Sequence, residues 1–210
     1  MSLTETVTED HEFSKNFLAE LSGLATRLDP GQLDDVADRI AEVRRSSGRV
    51  FVLGIGGGAA NAAHAVCDLR GLAGVEAYAP TDSVSGFSAA ANDFGWKDAF
   101  RQWLVQSRLR ATDLVLVFSV GGGSRLPPVS ENLVEAMTYA KEQGAAVVAV
   151  VGPRGGEAAG LADICVRVPV TNPQLVTAHT EIFQAVVWHL LVTHPALSAR
   201  TPHWESLSGR

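Results

Sequence analysis

A histidine and a carboxylate stand one helical turn apart in the first half of the chain. His64 and Asp68 are four positions apart, with Cys67 between them. Residues spaced by three or four lie on one face of an α-helix, so these side chains would point to the same region. A histidine beside a carboxylate can transfer protons, and the same donor types bind zinc. The segment therefore predicts an acid–base pair or part of a divalent-metal site.

Glu181 and His189 provide a second acid and a second histidine, in a segment with helical periodicity near the end of the chain. If this helix packs against the first one, both side chains would join the earlier pair as candidate catalytic residues and as candidate zinc ligands. A simpler interpretation is also open. In it Cys67 packs in the core, His64 forms a local hydrogen bond and Asp68 is solvated.

Two glycine-rich stretches predict an anion site. Gly54 to Gly58 follows one apolar run and leads into a helix, and Ser119 to Ser124 follows another apolar run. Glycine lets the backbone approach a ligand closely, and the free N–H groups at a helix N-terminus favour negative charge. Both loops would converge on the crevice at the carboxyl edge of a parallel sheet. The candidate ligand-binding residues of the loops are Gly56, Gly57, Gly58, Ser119, Gly121, Gly122 and Ser124.

Other interpretations of the loops are weaker or remain open. Gly54-x-Gly56 after a strand also matches the start of a dinucleotide-binding fingerprint. However, Ala59 occupies the position of the third glycine, and the second strand ends in Ala79-Pro80-Thr81, without the acidic residue that would bind a ribose hydroxyl. Both loops could also be tight turns that simply require glycine. Arg125, directly after the second loop, either adds a charge-assisted contact to the ligand or faces solvent.

The pattern of strands and helices that carry these residues predicts an α/β fold. After Gly48 short apolar runs alternate with helical segments, which is typical of a parallel sheet covered on both faces. The predicted strands are 50–54, 75–79, 114–119, 145–151 and 164–168. The predicted helices lie near 58–70, 83–92, 96–109, 129–143 and 178–193, with a short helix or turn at 155–161.

Residues 9–47 predict a helical hairpin that is broken at Asp29-Pro30-Gly31. Apolar residues recur every three or four positions in both helices, which is typical of a seam between subunits or of helices that cover a sheet. We expect residues 1–48 to form this hairpin and to serve oligomerisation, residues 49–194 to form one α/β domain, and residues 195–210 to form a tail that is frayed or packs on a neighbour.

Composition excludes several classes of protein. The chain has 210 residues, of which 46% are hydrophobic and 19% charged, with a net charge of −6. An acidic chain without clustered Lys and Arg is not expected to bind nucleic acid. No apolar run approaches the roughly 20 residues of a membrane span, and the first residues lack the layout of a signal peptide. We therefore expect a cytoplasmic protein without a membrane partner.

The most specific stretch of the sequence is Asn92-Asp93-Phe94-Gly95-Trp96. With the two glycine loops, His64 and the last helix, it resembles the phosphoheptose isomerases of the sugar isomerase (SIS) domain family. The resemblance implies one SIS-type domain with a five-stranded parallel sheet, a homotetramer, and an aldose–ketose isomerase acting on sedoheptulose 7-phosphate. It also implies that Asn92 and Asp93 contact the sugar.

Several site positions differ from the family's pattern. The family's loops read Gly-Asn-Gly-Gly-Ser and Ser-Thr-Ser-Gly-Asn-Ser. In this chain, residues without a polar side chain replace the family's polar residues at five of these positions, namely Ile55, Gly58, Val120, Gly121 and Gly123. Each lost hydroxyl contact to a charged group is worth about 1.5–3 kcal/mol. Asp68 replaces the family's Glu, and a displacement of about 1 Å can lower a rate on the order of 100-fold.

The last helix can be aligned with the family in two ways. Either Thr180 or Glu181 occupies the position of the family's Gln, and the second choice also places His189 at the family's His. Two functions remain open on this basis. One is a divergent phosphosugar isomerase, with zinc as a candidate cofactor, and the other is a non-catalytic SIS module that binds a sugar phosphate or a partner protein.

Overall fold

A five-stranded parallel sheet forms the centre of the protein, with strand order β2-β1-β3-β6-β7. The structure, a computed structural model, describes residues 3–207, with side chains described from residue 12 onward. The strands are β1 (Arg49–Gly54), β2 (Glu76–Tyr78), β3 (Leu114–Ser119), β4 (Ser124–Arg125), β5 (Pro128–Val129), β6 (Ala146–Val151) and β7 (Ile164–Arg167). The helices are α1 (Leu3–Ala25), α2 (Pro30–Arg45), α3 (Gly57–Gly71), α4 (Val84–Gln106), α5 (Glu131–Glu142), α6 (Ala158–Leu161), α7 (Val176–Thr193) and α8 (His203–Leu207).

This architecture confirms the predicted fold class and all five strands of the main sheet. The antiparallel hairpin β4–β5 was not predicted, because each of its strands has only two residues. The two helices predicted on either side of residue 95 form one element, α4, with a break at Gly95 (φ 78°). Part of the predicted tail also forms α8, while residues 208–210 lie outside the described residues.

The sheet is covered on both faces, as the apolar strands require. On one face α2, α3 and α7 pack against the alternate side chains of the strands, and on the other face α4 and α5 do so. Strands β1 and β3 are neighbours, and the chain leaves β1 toward β2 but leaves β3 toward β6. The point between β1 and β3, where the order reverses, is therefore where a ligand crevice is expected in an open α/β sheet.

The helical hairpin is present, and its second helix serves the protein's own core. Asp29 caps α2 by accepting the amide of Gly31 at 3.0 Å, and Pro30 begins the helix. The apolar stripe of α2 is fully buried at Val36 and Ile40, so here the sheet-covering interpretation holds. The stripe of α1 differs, because Phe13 is 61% exposed.

The segment after α7 packs on its own chain before α8. The guanidinium of Arg44 donates to the carbonyl oxygens of Ala196 and Leu197 at 3.0 and 2.8 Å. The amide of Ala199 then donates to Leu72 at the end of α3. This part of the tail is therefore docked, not frayed. No helix in residues 3–207 is apolar over a length that would cross a membrane.

Close backbone packing holds the second glycine loop in place. Gly122 has φ +74°, and a Cβ at this position would lie 1.9 Å from the carbonyl oxygen of Gly155. Gly156 is also packed closely, because a Cβ added to Gly156 would lie 2.2 Å from the carbonyl oxygen of Gly121. These glycines are therefore required by the fold, whatever the loop binds.

We expect Gly122→Ala to lower the free energy of unfolding by roughly 2–4 kcal/mol, because the Cβ combines a strained φ with overlap against backbone. Gly121→Ala is the matched control, since its Cβ meets nothing within 4 Å and its φ is not in the left-handed region. Urea denaturation of both variants measures the difference. Equal stability of the two variants would contradict the packing described here.

Candidate functional site

Three predicted site residues form one cluster. His64 and Asp68 lie on α3, and His189 lies on α7. Asp68 Oδ2 is 3.8 Å from His64 Nε2 and 3.8 Å from His189 Nδ1. The ligand atoms of all three residues lie within 4.8 Å of one another. We call this group the His64 cluster.

Contacts between α3 and α7 position the His64 cluster. The side-chain amide of Asn61 donates to the carbonyl oxygen of Glu181 and to Gln184 Oε1, both at 3.0 Å. Farther along the same interface the rings of His64 and Trp188 lie 4.4 Å apart. Because these contacts occur in the same order along both helices, they fix which residue of α7 stands opposite which residue of α3.

The His64 cluster has a composition that could hold a divalent metal ion. Two imidazole nitrogens and one carboxylate oxygen can bind one ion and leave a fourth position open, and zinc–ligand distances of about 2.0–2.2 Å place neighbouring ligands roughly 3.4 Å apart. The two distances from Asp68 are 3.8 Å and all three ligand atoms lie within 4.8 Å of one another, so the side chains would have to move closer together to bind one ion. By composition, the residues present fit a divalent metal.

The protonation state of His189 favours such binding. Partial burial lowers the pKa of His189 below its ordinary value, the carboxylate of Asp68 acts in the opposite direction, and the neighbouring His64 lowers the pKa further. His189 therefore stays neutral to a lower pH than an ordinary histidine. The neutral imidazole is the form that binds a metal or accepts a proton.

Glu181, the fourth predicted metal ligand, does not join the cluster. Its carboxylate lies against Gly57 in the first loop, so closely that a Cβ on Gly57 would be 2.4 Å from the carboxyl carbon. Thr180 is fully buried, and its hydroxyl lies toward Gly152. Glu181 therefore faces the first glycine loop, whereas Thr180 lies buried beside the turn after β6.

The hydroxyls that remain in the second loop stabilise that loop. Ser119 Oγ accepts the amide of Gly122 at 3.0 Å, and Ser124 Oγ accepts the amide of Leu126 at 3.2 Å. Each hydroxyl keeps its own hydrogen for a ligand. At Gly121 the space around the Cα is open, so a ligand could approach the backbone there.

Arg125 is engaged elsewhere. Its guanidinium donates to Glu135 at 3.1 Å, to Thr138 at 3.0 Å and to Glu157. These bonds hold the hairpin β4–β5 against α5 and the start of α6. Any contact from Arg125 to a ligand would have to replace them.

Asn92 and Asp93 lie on α4 and are exposed. The side-chain amide of Asn92 donates to Asp93 Oδ1 at 2.9 Å. The contacts described for residues 3–207 connect neither residue to the glycine loops or to the His64 cluster. Cys67 is exposed, so the interpretation that buried it in the core is wrong.

Comparison with known proteins agrees with the geometry. Residues 12–152 match the SIS domain family. The chain belongs to the SIS domain family. This confirms the resemblance that the glycine loops and the stretch at 92–96 indicated.

Two curated relatives of this SIS domain are about one-third identical to it. The lincomycin biosynthesis protein LmbN of Streptomyces lincolnensis is 33% identical over 183 residues, which are 84% of this chain and 66% of that protein. The chain thus spans just under two thirds of that relative's length. A phosphoheptose isomerase of Rhodospirillum rubrum is 32% identical over 164 residues, 72% of this chain and 84% of that enzyme.

A solved structure shows the same fold. The phosphoheptose isomerase of Neisseria gonorrhoeae superimposes with a TM-score of 0.75, covering 91% of this chain and 98% of that one at 24% identity. Sequence reasoning on this SIS domain missed Asn61, Gln184 and Trp188, because such residues are usual in helices. It also missed the loop after β6, although Gly152, Gly155 and Gly156 are a visible signal there.

We expect zinc to bind the His64 cluster and to raise the melting temperature. Zinc at 100 times its Kd would add about 2.7 kcal/mol to the free energy of unfolding. His64→Ala and Asp68→Asn should abolish the shift, whereas Cys67→Ser, on the same helix, should retain it. Because protonation removes the His189 ligand, and burial lowers the pKa of His189, zinc affinity should fall only as the pH drops below the ordinary histidine value. Absence of any zinc-induced shift in the unmodified protein at pH 7.5 would contradict this metal site.

Proposed function

We propose that this SIS domain is a phosphosugar aldose–ketose isomerase that resembles sedoheptulose 7-phosphate isomerase. The observation that carries the proposal is the convergence of His64, Asp68 and His189 on α3 and α7. Helix α3 begins at the first glycine loop, so one helix links an anion site to a cluster that can move protons. Similarity to a curated phosphoheptose isomerase supports the choice of reaction.

The chemistry requires a proton to leave the carbon next to the carbonyl and to return to the neighbouring carbon. A neutral His189 can accept a proton near pH 7, because burial lowers its pKa. Asp68, which lies between the two histidines, would orient both rings and balance the positive charge that forms on either. His64, more than half exposed, would exchange protons with substrate or water.

Substrate binding would use backbone more than side chains. The accessible backbone at Gly121 and the hydroxyl groups of Ser119 and Ser124 would bind the phosphate. The carboxylate of Glu181, beside Gly57, would accept hydrogen bonds from the sugar hydroxyls. If zinc is bound, His64, Asp68 and His189 would hold it and would no longer transfer protons. Zinc would then polarise the sugar's carbonyl as a Lewis acid, and the carboxylate of Glu181 would serve as the base.

A non-catalytic module that binds a sugar phosphate is the second candidate. The lost polar side chains at positions 55, 58, 120, 121 and 123 and the shorter Asp68 favour it. The two functions differ in one respect that can be measured, since only the enzyme converts a ketose phosphate to an aldose phosphate.

We expect sedoheptulose 7-phosphate to be isomerised slowly, with zinc increasing the rate. His64→Ala and Asp68→Asn should each remove turnover. Asp68→Glu should preserve or raise the rate, because the added methylene moves the carboxylate toward the substrate, and about 1 Å of position can be worth on the order of 100-fold. The assay follows aldose formation with and without zinc. If no C5 to C8 sugar phosphate reacts and Asp68→Glu creates no activity, the protein is the binding module.

We also propose that the protein is a homo-oligomer, and a tetramer by its family resemblance. The outer face of α7 exposes Ile182, Val186 and Leu190, spaced by four, and α1 nearby exposes Phe13 and Leu18. Glu20 of α1 contacts α7 through His179. We infer that these exposed apolar residues of α1 and α7 belong to one surface that a second copy covers. A cytoplasmic location stays a prediction from the sequence.

We expect Val186→Glu to dissociate the oligomer, because it places a charge within the apolar surface. Leu126→Glu is the control, since Leu126 is 90% exposed on the hairpin β4–β5 and outside that surface. Light scattering coupled to size exclusion measures both masses. A native mass of 22.2 kDa at micromolar concentration would contradict the proposal.

A further inference from the structure

A phosphate at the second glycine loop would lack a cation among the residues considered so far. The guanidinium of Arg125 is bound by Glu135 and Glu157. Carboxylates lie on both sides. Glu157, directly before α6, lies next to the second loop, and Glu181 lies against Gly57 in the first loop. A dianionic ligand in this crevice would therefore face acidic side chains. Another positive group is needed to offset them.

The turn after β6 presents an arginine next to the loop. The amide of Gly155 donates to the carbonyl oxygen of Gly152 at 3.1 Å, which closes a four-residue turn with Pro153 and Arg154 at its centre. Proline suits the first central position because its φ is fixed near the value that such a turn needs. Arg154 thus lies at the tip of a rigid turn.

Both ends of this turn contact the second glycine loop. The amide of Gly152 donates to the carbonyl oxygen of Val120 at 3.0 Å. The carbonyl of Gly155 lies directly against the Cα of Gly122. Because β3 and β6 are neighbours, their loops also start only about 4.8 Å apart. The backbone of Arg154 is therefore held beside the loop at a distance that an arginine side chain can span.

Arg154 has no other partner in the part of the chain that the structure describes. It is exposed, and it forms no ion pair, hydrogen bond or ring contact within residues 12–207. Arg167, the other basic residue near this turn, has its guanidinium packed against the backbone of Gly155. The guanidinium of Arg154 is thus free to bind an anion with two parallel N–H donors.

We propose that Arg154 binds the phosphate of the substrate at the second glycine loop. Its positive charge would compensate for the hydroxyl contacts that the family's loops provide and that this chain lacks. This inference rests on the proposed function, because it takes a sugar phosphate as the ligand. It assigns to the turn after β6 the task that the sequence suggested for Arg125. Recognition of the phosphate would then depend on two neighbouring loops instead of one.

The test is calorimetric titration of the full chain with sedoheptulose 7-phosphate and, separately, with sedoheptulose. Arg154→Gln should weaken binding of the phosphorylated sugar roughly 10- to 100-fold, the range expected for one charge-assisted contact, and leave binding of sedoheptulose unchanged. Arg154→Lys should retain part of the affinity. Added salt should lower the affinity for sedoheptulose 7-phosphate more in the unmodified protein than in the Arg154→Gln variant, because the variant lacks the charge that salt screens.

Two further variants make the result decisive. Arg45→Gln removes the same charge from an exposed arginine at the end of α2, before β1 begins at the opposite edge of the sheet, and should not change affinity. If Arg125→Gln weakens binding and Arg154→Gln does not, Arg154 is not the phosphate ligand, while the isomerase proposal stands. If the unmodified protein binds no sugar phosphate, the proposed function itself fails, and the role of Arg154 fails with it.

Discussion

The packing of α7 against α3 is the constraint on which the candidate site depends. One side-chain amide, that of Asn61, binds the backbone of Glu181 and the side chain of Gln184 and so fixes the relative position of the two helices. A shift of one residue along α7 would rotate His189 by about 100° around the helix axis, away from Asp68. The same shift would remove Glu181 from Gly57. Both halves of the site therefore depend on the packing of these two helices.

The second constraint is the close approach of backbone segments at the carboxyl edge of the sheet. Glycine at positions 122, 155 and 156 allows the loop after β3 and the turn after β6 to touch through main-chain atoms. The carbonyl oxygens of Gly122 and Gly123 accept the first amides of the α6 segment. Loops that are bound to each other in this way lose little entropy when a ligand arrives, and this pre-organisation favours affinity.

Much of the fold and part of the site were predictable from sequence, because they depend on local pattern. Uniform apolar runs identified β1, β3 and β6, and the spacing of His64 and Asp68 placed them on one helical face. The approach of His189 was only a hypothesis, since the register of two helices is a tertiary property. The engagement of Arg125 was not predictable either. Its partners Glu135 and Glu157 are 10 and 32 positions away in the chain.

Sharing of one carboxylate by two histidines has a consequence for how substitutions in the site combine. Asp68 lies 3.8 Å from a nitrogen of each ring, and the ring centroids are 5.5 Å apart. Asp68 is the only ion-pair partner of either ring among the described residues, so its loss would affect both histidines at once. Because the three side chains form one connected group, the effects of changing two of them together would not be the sum of the separate effects. A cycle of single and double variants at Asp68 and His189 would therefore measure the coupling within the group and not two independent contributions.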